Sequence, residues 1–266
     1  MSIHLQNALP GLREDMGRFA HTEIAVRSDM RDAVSFPHDL WGKLAAAKLM
    51  GIAIPAAYGG RGGNYLSLTV ALEAMVRHGH NMGFALSWMM QEAIGRFVLL
   101  PFATDRIKER YLPRLAGGSA VAALAISEPG VGAQPKHLAA AAMREGKGWT
   151  LSGEKTMITN GPIADVFVVV AVTGRDEGRK AFTAFLVPKE TRGFSLTKPI
   201  ELGFLHPARH GGIRLDSCHI DDTHRVGTEG SAFRDIALPF RDIEDVLLAG
   251  AVAGGFGLLL ETAVAL

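Results

Sequence analysis

The sequence predicts an α+β protein: an N-terminal helical domain over residues 1–118, a middle antiparallel β-sandwich or barrel over 119–230, and the beginning of a C-terminal helical bundle over 231–266. Three observations carry this reading. Apolar residues recur at helical spacing as far as Gly118. From there to Gly230, short apolar or alternating runs are broken by Gly, Pro and Asp turns, a spacing that suits hairpins better than βαβ units. From Ser231 the chain turns helical and apolar again.

The helical part divides into four stretches. In SFPHDLWGKLAAAKLMG, Ser35 is the expected cap and Pro37 falls near the first turn. Leu40, Trp41, Leu44 and Lys48 follow at helical spacing, and Gly51 stops the run. LSLTVALEAMVRHG places Leu68, Ala71, Leu72 and Met75 on one side. NMGFALSWMMQEAIGRFVLL is apolar nearly all round, which marks a helix inside a bundle. TDRIKERYLPRLAGG is a shorter helix, capped by Thr104 and ended by Pro113 and the Gly117–Gly118 pair. The strand candidates are VAALAIS, HLAAAAMREG, WTLSG, DVFVVVAVTG, AFTAFLVP, GFSLTK and GGIRLDSCHI.

Composition narrows the function classes. With 48% hydrophobic and 21% charged residues in 266, the chain is an ordinary globular protein. Lys plus Arg (28) nearly balance Asp plus Glu (27), and no clustered cationic face is apparent, so nucleic acid is not an expected partner. Cys218 stands alone and cannot form an internal disulfide, which fits a reducing cytoplasm. MSIHLQNALPGLREDMG lacks the apolar core of a signal peptide. VLLAGAVAGGFGLLLETAVAL approaches the length of a membrane span, but its glycines and Glu261 suit a buried helix better, so no membrane role is expected.

Metal is not expected either. His206 and His210 are four apart, yet Pro207 and the neighbouring glycines oppose a shared helical face. Cys218 and His219 fall on opposite sides of a strand, and neither HExxH nor paired CxxC occurs. Cys218 reads as a buried, inert thiol. YGGRGGNY lacks the strand–glycine–helix context and the Lys-Ser/Thr of a phosphate loop and reads as a turn between helices.

Two stretches carry chemistry. SEPGVGAQ follows the strand VAALAI, and its proline and glycines expose backbone N–H groups at a turn where a polar heterocycle can bind. The plainer alternative is a β-turn with Glu128 solvated. LSGEKTMITNG combines a turn, a strand, two threonines and one soft apolar side chain, Met157.

With FPHDLWGKLAAAKLMGIAIPAAYGGRGG, TDRIKERYLPRLAGG, ALAISEPGVG and GWTLSGEKTMITNG in this order, the chain resembles the acyl-CoA dehydrogenases from about Arg18 to Gly250. SEPGVG is similar to the family's T-E-P-x-x-G-S-D motif and LSGEKTMITNG to its L-x-G-x-K-x-x-I-T-N-G motif. The resemblance implies a helical domain, a β domain and a C-terminal four-helix domain, with FAD held between the last two and partly by a neighbouring subunit. It implies that Ser127 bonds the flavin beside the backbone of Ile126, and that Thr159 donates to the flavin's reactive edge. Met157 stands where the family often has a Trp over the ring; a thioether can lie against an aromatic system in its place. Read without the resemblance, Met157 is a core residue and Thr159 an ordinary strand residue.

The resemblance also bears on the substrate. Ala133 and Gln134 replace a Ser-Asp whose serine helps seat the acyl-CoA thioester. Arg241 is a candidate substrate contact, or half of a helix-surface pair with Asp245. The family's usual base falls beyond Leu266; a minority carries it near the start of this helix, which makes Glu244 the base candidate. The implied activity is FAD-dependent α,β-desaturation of an acyl-CoA by a short or truncated member. Its electrons pass to an electron-transfer flavoprotein or similar acceptor, and the chain works as a homo- or hetero-oligomer. Two alternatives stand beside it: a non-catalytic or partner-dependent subunit supplying half a flavin site, and an FAD- or FMN-dependent monooxygenase on the same scaffold.

Overall fold

The computed structural model describes residues 8–30, 32–33 and 35–265; of the stretch read against a signal peptide, residues 1–7 lie outside the described residues. Helix α1 (Leu12–Phe19) buries Leu12, Met16 and Phe19. Helix α2 (His38–Ala46) starts with Pro37 at its cap and has no side-chain cap, so Ser35 does not serve as one. It also ends earlier than expected. Lys48 turns into the left-handed region at φ 57°, which breaks the helix before Gly51. Helix α3 (Tyr65–Gly79) begins in a reciprocal cap in which the Asn64 side chain accepts from Ser67 N (3.0 Å) and Ser67 Oγ accepts from Asn64 N (3.3 Å).

Helix α4 (Met82–Ala93) is buried on nearly every side and continues through a π-helical segment, Ile94–Leu99, into the short α5 (Leu100–Phe102). Thr104 caps α6 (Asp105–Ala116). Pro113 sits inside this helix and does not end it. The carbonyl its missing N–H leaves free belongs to Glu109, an exposed residue whose backbone water can satisfy.

The strands are β1 (Ala122–Ala125), β2 (Ala141–Glu145), β3 (Gly148–Thr159), β4 (Val166–Asp176), β5 (Arg179–Pro188), β6 (Phe194–Leu196), β7 (His210–Asp221) and β8 (Arg225–Val226). They form one sheet in the order β6-β7-β3-β2-β4-β5-β8, with β1 beside β4. Most pairings are antiparallel, but β1 runs parallel to β4, and β2 touches β4 in parallel at Ala141–Val172. No hairpin joins β1 to its neighbour; it arrives straight from α6, and all four of its residues are buried.

Two buried amides weld the sheet to the helices. Gln91 of α4 donates to the carbonyls of Ala120 (2.9 Å) and Leu115 and accepts from Ala122 N (3.0 Å), which fixes the entry to β1. Asn160, just past β3, donates to the Ser87 carbonyl of α4 (2.9 Å).

A π turn (Phe233–Ala237) leads into the last helix, α7 (Leu238–Val264). Gly250 and Gly254 let it lie directly on α3. A Cβ at Gly254 would stand 2.3 Å from the Glu73 carbonyl oxygen, and one at Gly250 2.6 Å from that of Thr69. The helix is long and apolar enough to cross a membrane by length and composition. The fully buried helix expected from its glycines is not found: Val246, Val252, Phe256, Leu259 and Leu260 are exposed.

Glu92 of α4 is a buried carboxyl that accepts from Gly51 N (2.6 Å) and Ala53 N (3.4 Å). Burial pushes its pKa up to about 7 against the pull of those N–H groups. The folded chain therefore holds a proton that the unfolded chain releases, and stability falls as pH rises from about 4.5 to about 7. The ceiling is on the order of 3 kcal/mol. Denaturant unfolding at pH 5 and pH 7.5 should show this slope in the wild type and a flatter one in Glu92→Gln.

Candidate functional site

The ends of β1 and β3 and the first turns of α7 enclose a cleft of about 280 Å³. Seven residues singled out in the sequence line it, Ile126, Ser127, Ala133, Met157, Thr159, Arg241 and Glu244, whereas Gln134 does not. Leu124, Met90 and Phe240 add apolar surface.

The wall on the sheet side rests on one buried ion pair. Lys155 of β3 is 0% exposed, and its Nζ donates to Glu128 Oε1 (2.8 Å) and to the Ile126 carbonyl (2.9 Å). Glu128 also accepts from Ala139 N (2.7 Å) and Ala140 N (2.9 Å). Burial alone would raise the Glu128 pKa; the Lys155 ammonium and the two amides outweigh it and hold the carboxylate below its ordinary range. A plain turn with Glu128 in solvent is thus ruled out. The Ser127 carbonyl accepts from Thr156 N (2.9 Å), so three consecutive residues, Ile126, Ser127 and Glu128, are fastened to β3.

The β3–β7 register slips between Lys155 and Ile158, and Met157 takes φ 55° in that bulge. The bulge turns Met157 outward: it is 52% exposed and lines the cleft, so it is not a core residue. Thr159 closes the strand with its hydroxyl 3.2 Å from Nε2 of His210, its cross-strand partner. The side-chain hydroxyls of Ser127 and Thr156 line the cleft with no hydrogen bond to the described residues.

From α7 come Arg241 and Glu244. The surface pair of Arg241 with Asp245 does not form. Burial pushes the Glu244 carboxyl up to about 7, with repulsion from Asp245 adding to it. An apolar-walled cleft with free hydroxyls and a carboxyl near neutral pKa suits a flat heteroaromatic group and supplies a proton acceptor beside it.

The acyl-CoA dehydrogenase N-terminal domain matches residues 10–119, and the family's middle domain matches 123–218. An acyl-CoA dehydrogenase of Bacillus subtilis (strain 168) is 30% identical over 98% of this chain and 69% of its own length. The chain belongs to the acyl-CoA dehydrogenase family.

The crystal structure of a probable acyl CoA dehydrogenase from Mycobacterium abscessus superposes with a TM-score of 0.88 at 25% identity, over 96% of this chain and 67% of that one. The FAD complex of PigA superposes at 0.83 with 28% identity, over 99% and 69%. The chain spans 50% to 69% of the lengths of the curated relatives compared.

Beside the cleft, and sharing Phe233 and Leu238 with it, opens a second one lined by Lys136, Arg175, Arg179, Lys180 and Arg234. No cationic face was expected from the sequence; folding gathers these residues from the SEPGVG loop, the β4–β5 hairpin and the approach to α7. Among the described residues only Arg234 has a carboxylate partner, Asp235.

In the acyl-CoA dehydrogenase fold seen here, Lys155→Met should leave Glu128 buried without its cation. Equilibrium denaturation should register a loss of about 3–5 kcal/mol. Hydrogen exchange at Ala139 and Ala140 should speed up more than at β4.

Proposed function

We propose that the chain is an FAD-dependent acyl-CoA dehydrogenase-like flavoprotein whose cleft holds the isoalloxazine ring and the acyl end of the substrate together. The observation that carries the reading is the convergence on one cleft of Ser127, Met157 and Thr159 from the sheet with Glu244 from α7. The FAD complex of PigA, on the same fold at 28% identity, supports the choice of cofactor.

The unpaired hydroxyls of Ser127 and Thr156 supply polar contacts for ring heteroatoms, and Met157 supplies a polarizable surface for a ring face. Bound there, the flavin would accept hydride from the substrate's β-carbon. Glu244 takes the α-proton; with a pKa of about 7 it is both partly ionised and a strong enough base at neutral pH. Ala133 leaves room at the thioester end but offers no hydroxyl. The cation-lined cleft next door suits the phosphates of CoA, and its junction at Phe233 and Leu238 suits the pantetheine chain. Reoxidation falls to an electron-transfer flavoprotein or a similar acceptor.

A partner-dependent form of the same reading is favoured by α7. Its exposed row of Val252, Phe256, Leu259 and Leu260 is apolar surface of the kind that associates. Association would cover that row.

Purified chain should take up FAD and turn yellow, alone or with a full-length relative, and should bleach anaerobically on addition of acyl-CoA. The bleaching rate should rise with pH through about 7 as Glu244 ionises. Glu244→Gln should slow it by about 10²–10⁴-fold with flavin binding retained. A colourless chain under every one of these conditions would sink the enzymatic reading.

A further inference from the structure

His210 has no part in the proposed chemistry, yet its partner Thr159 lines the cleft. It opens β7, pairs with Thr159 across the β3–β7 ladder, and is 6% exposed. Its Nε2 is 3.2 Å from Thr159 Oγ1, while its Nδ1 is buried and has no hydrogen-bond partner. Burial, first, and the neighbouring Arg209 favour the uncharged ring; the Ala208 carbonyl opposes them without satisfying Nδ1. A neutral imidazole carries one N–H, so the orphaned nitrogen is either a bare lone pair or an N–H without an acceptor. A buried N–H left unpaired is the rarer and costlier of the two, which places the proton on Nε2.

That tautomer decides what Thr159 can do. If Nε2–H donates, Thr159 Oγ1 accepts, and its own hydrogen has no other acceptor among the described residues. Thr159 faces the cleft, so the hydrogen points there. With the opposite tautomer Thr159 would spend its only hydrogen on the imidazole and face the cleft as an acceptor alone. We propose that His210 is a positioning residue: its Nε2–H fixes the Thr159 hydroxyl as a hydrogen-bond donor aimed into the cleft. The use of that donor on a flavin rests on the function proposed above; the tautomer does not.

Long-range nitrogen–proton NMR of ¹⁵N-histidine-labelled full chain, without added flavin, reads the tautomer, with His210 assigned by loss of its signals in His210→Gln. A neutral ring protonated at Nε2 is expected, and protonation at Nδ1 alone overturns the proposal. FAD titrations of three forms follow Thr159 itself. Gln can present an amide N–H to Oγ1 and should bind flavin within about threefold of wild type, with an unchanged visible band. Leu cannot, and His210→Leu should weaken binding by about tenfold, the scale of one hydrogen bond, and shift the band. Folding of each variant is checked by near-ultraviolet circular dichroism. If His210→Leu folds and matches wild type in affinity and spectrum, or if Gln fails as badly as Leu while folded, the positioning role is wrong. If wild type itself takes up no flavin, it is the proposed function that fails, and the NMR result still decides the tautomer.

Discussion

The site is built outward from a charge that has no access to water. Lys155 can stay ionised in the interior only because the Glu128 carboxylate and the Ile126 carbonyl surround its ammonium group. Glu128 in turn needs the amides of Ala139 and Ala140. These few hydrogen bonds tie the end of β1, the turn after it, the approach to β2 and the middle of β3 to a single point. Ser127 is held between Ile126 and Glu128, and Met157 follows Lys155 by two residues, so both strands of the sheet-side wall take their position from the pair. The cost of burying two ions is offset only when every contact is made, which makes the arrangement all-or-none.

Three glutamates show how environment sets the state of one side-chain type. Glu128 has a cation and two amides, and it is held ionised. Glu92 has amides but no cation, and burial wins. Glu244 has neither, with a carboxylate beside it, and the same rise follows in a cleft where a substrate can reach it. The difference between a structural carboxyl and a candidate base is therefore one of access, since both lie near neutrality. Access comes from α7, whose seat on α3 through Gly250 and Gly254 fixes how far Glu244 stands from the sheet.

Much of this was legible in the chain. Helical spacing located α2, α3, α4 and α6, and the Thr104 cap falls where its sequence pattern places it. The SEPGVG and ITNG stretches pointed to the residues that meet in the cleft. What escaped the sequence depends on pairings far apart in the chain. Glu128 and Lys155 are each ordinary surface residues by type, and nothing local shows that they meet. His210 drew notice only for its distance from His206, because its partner Thr159 lies on another strand. Glu92 was hidden within an apolar run, and Lys136, Arg175, Lys180 and Arg234 are too widely separated to look like a cluster. Pro113 misled because a proline's effect depends on whether the carbonyl it frees reaches water.

The cation-lined cleft also bears on the speed of an encounter. Charges without carboxylate partners project a field into solution over roughly a Debye length, about 8 Å at physiological ionic strength. A polyanionic ligand arriving at Lys136, Arg175, Arg179 and Lys180 is drawn in before it makes contact. Capture then slows as ionic strength rises. In the proposed function, proton transfer to Glu244 is a step between groups already in contact, over which salt screening acts far less than over the approach. On that reading the two neighbouring clefts would divide the work between a step that feels the solvent's salt strongly and one that feels it little.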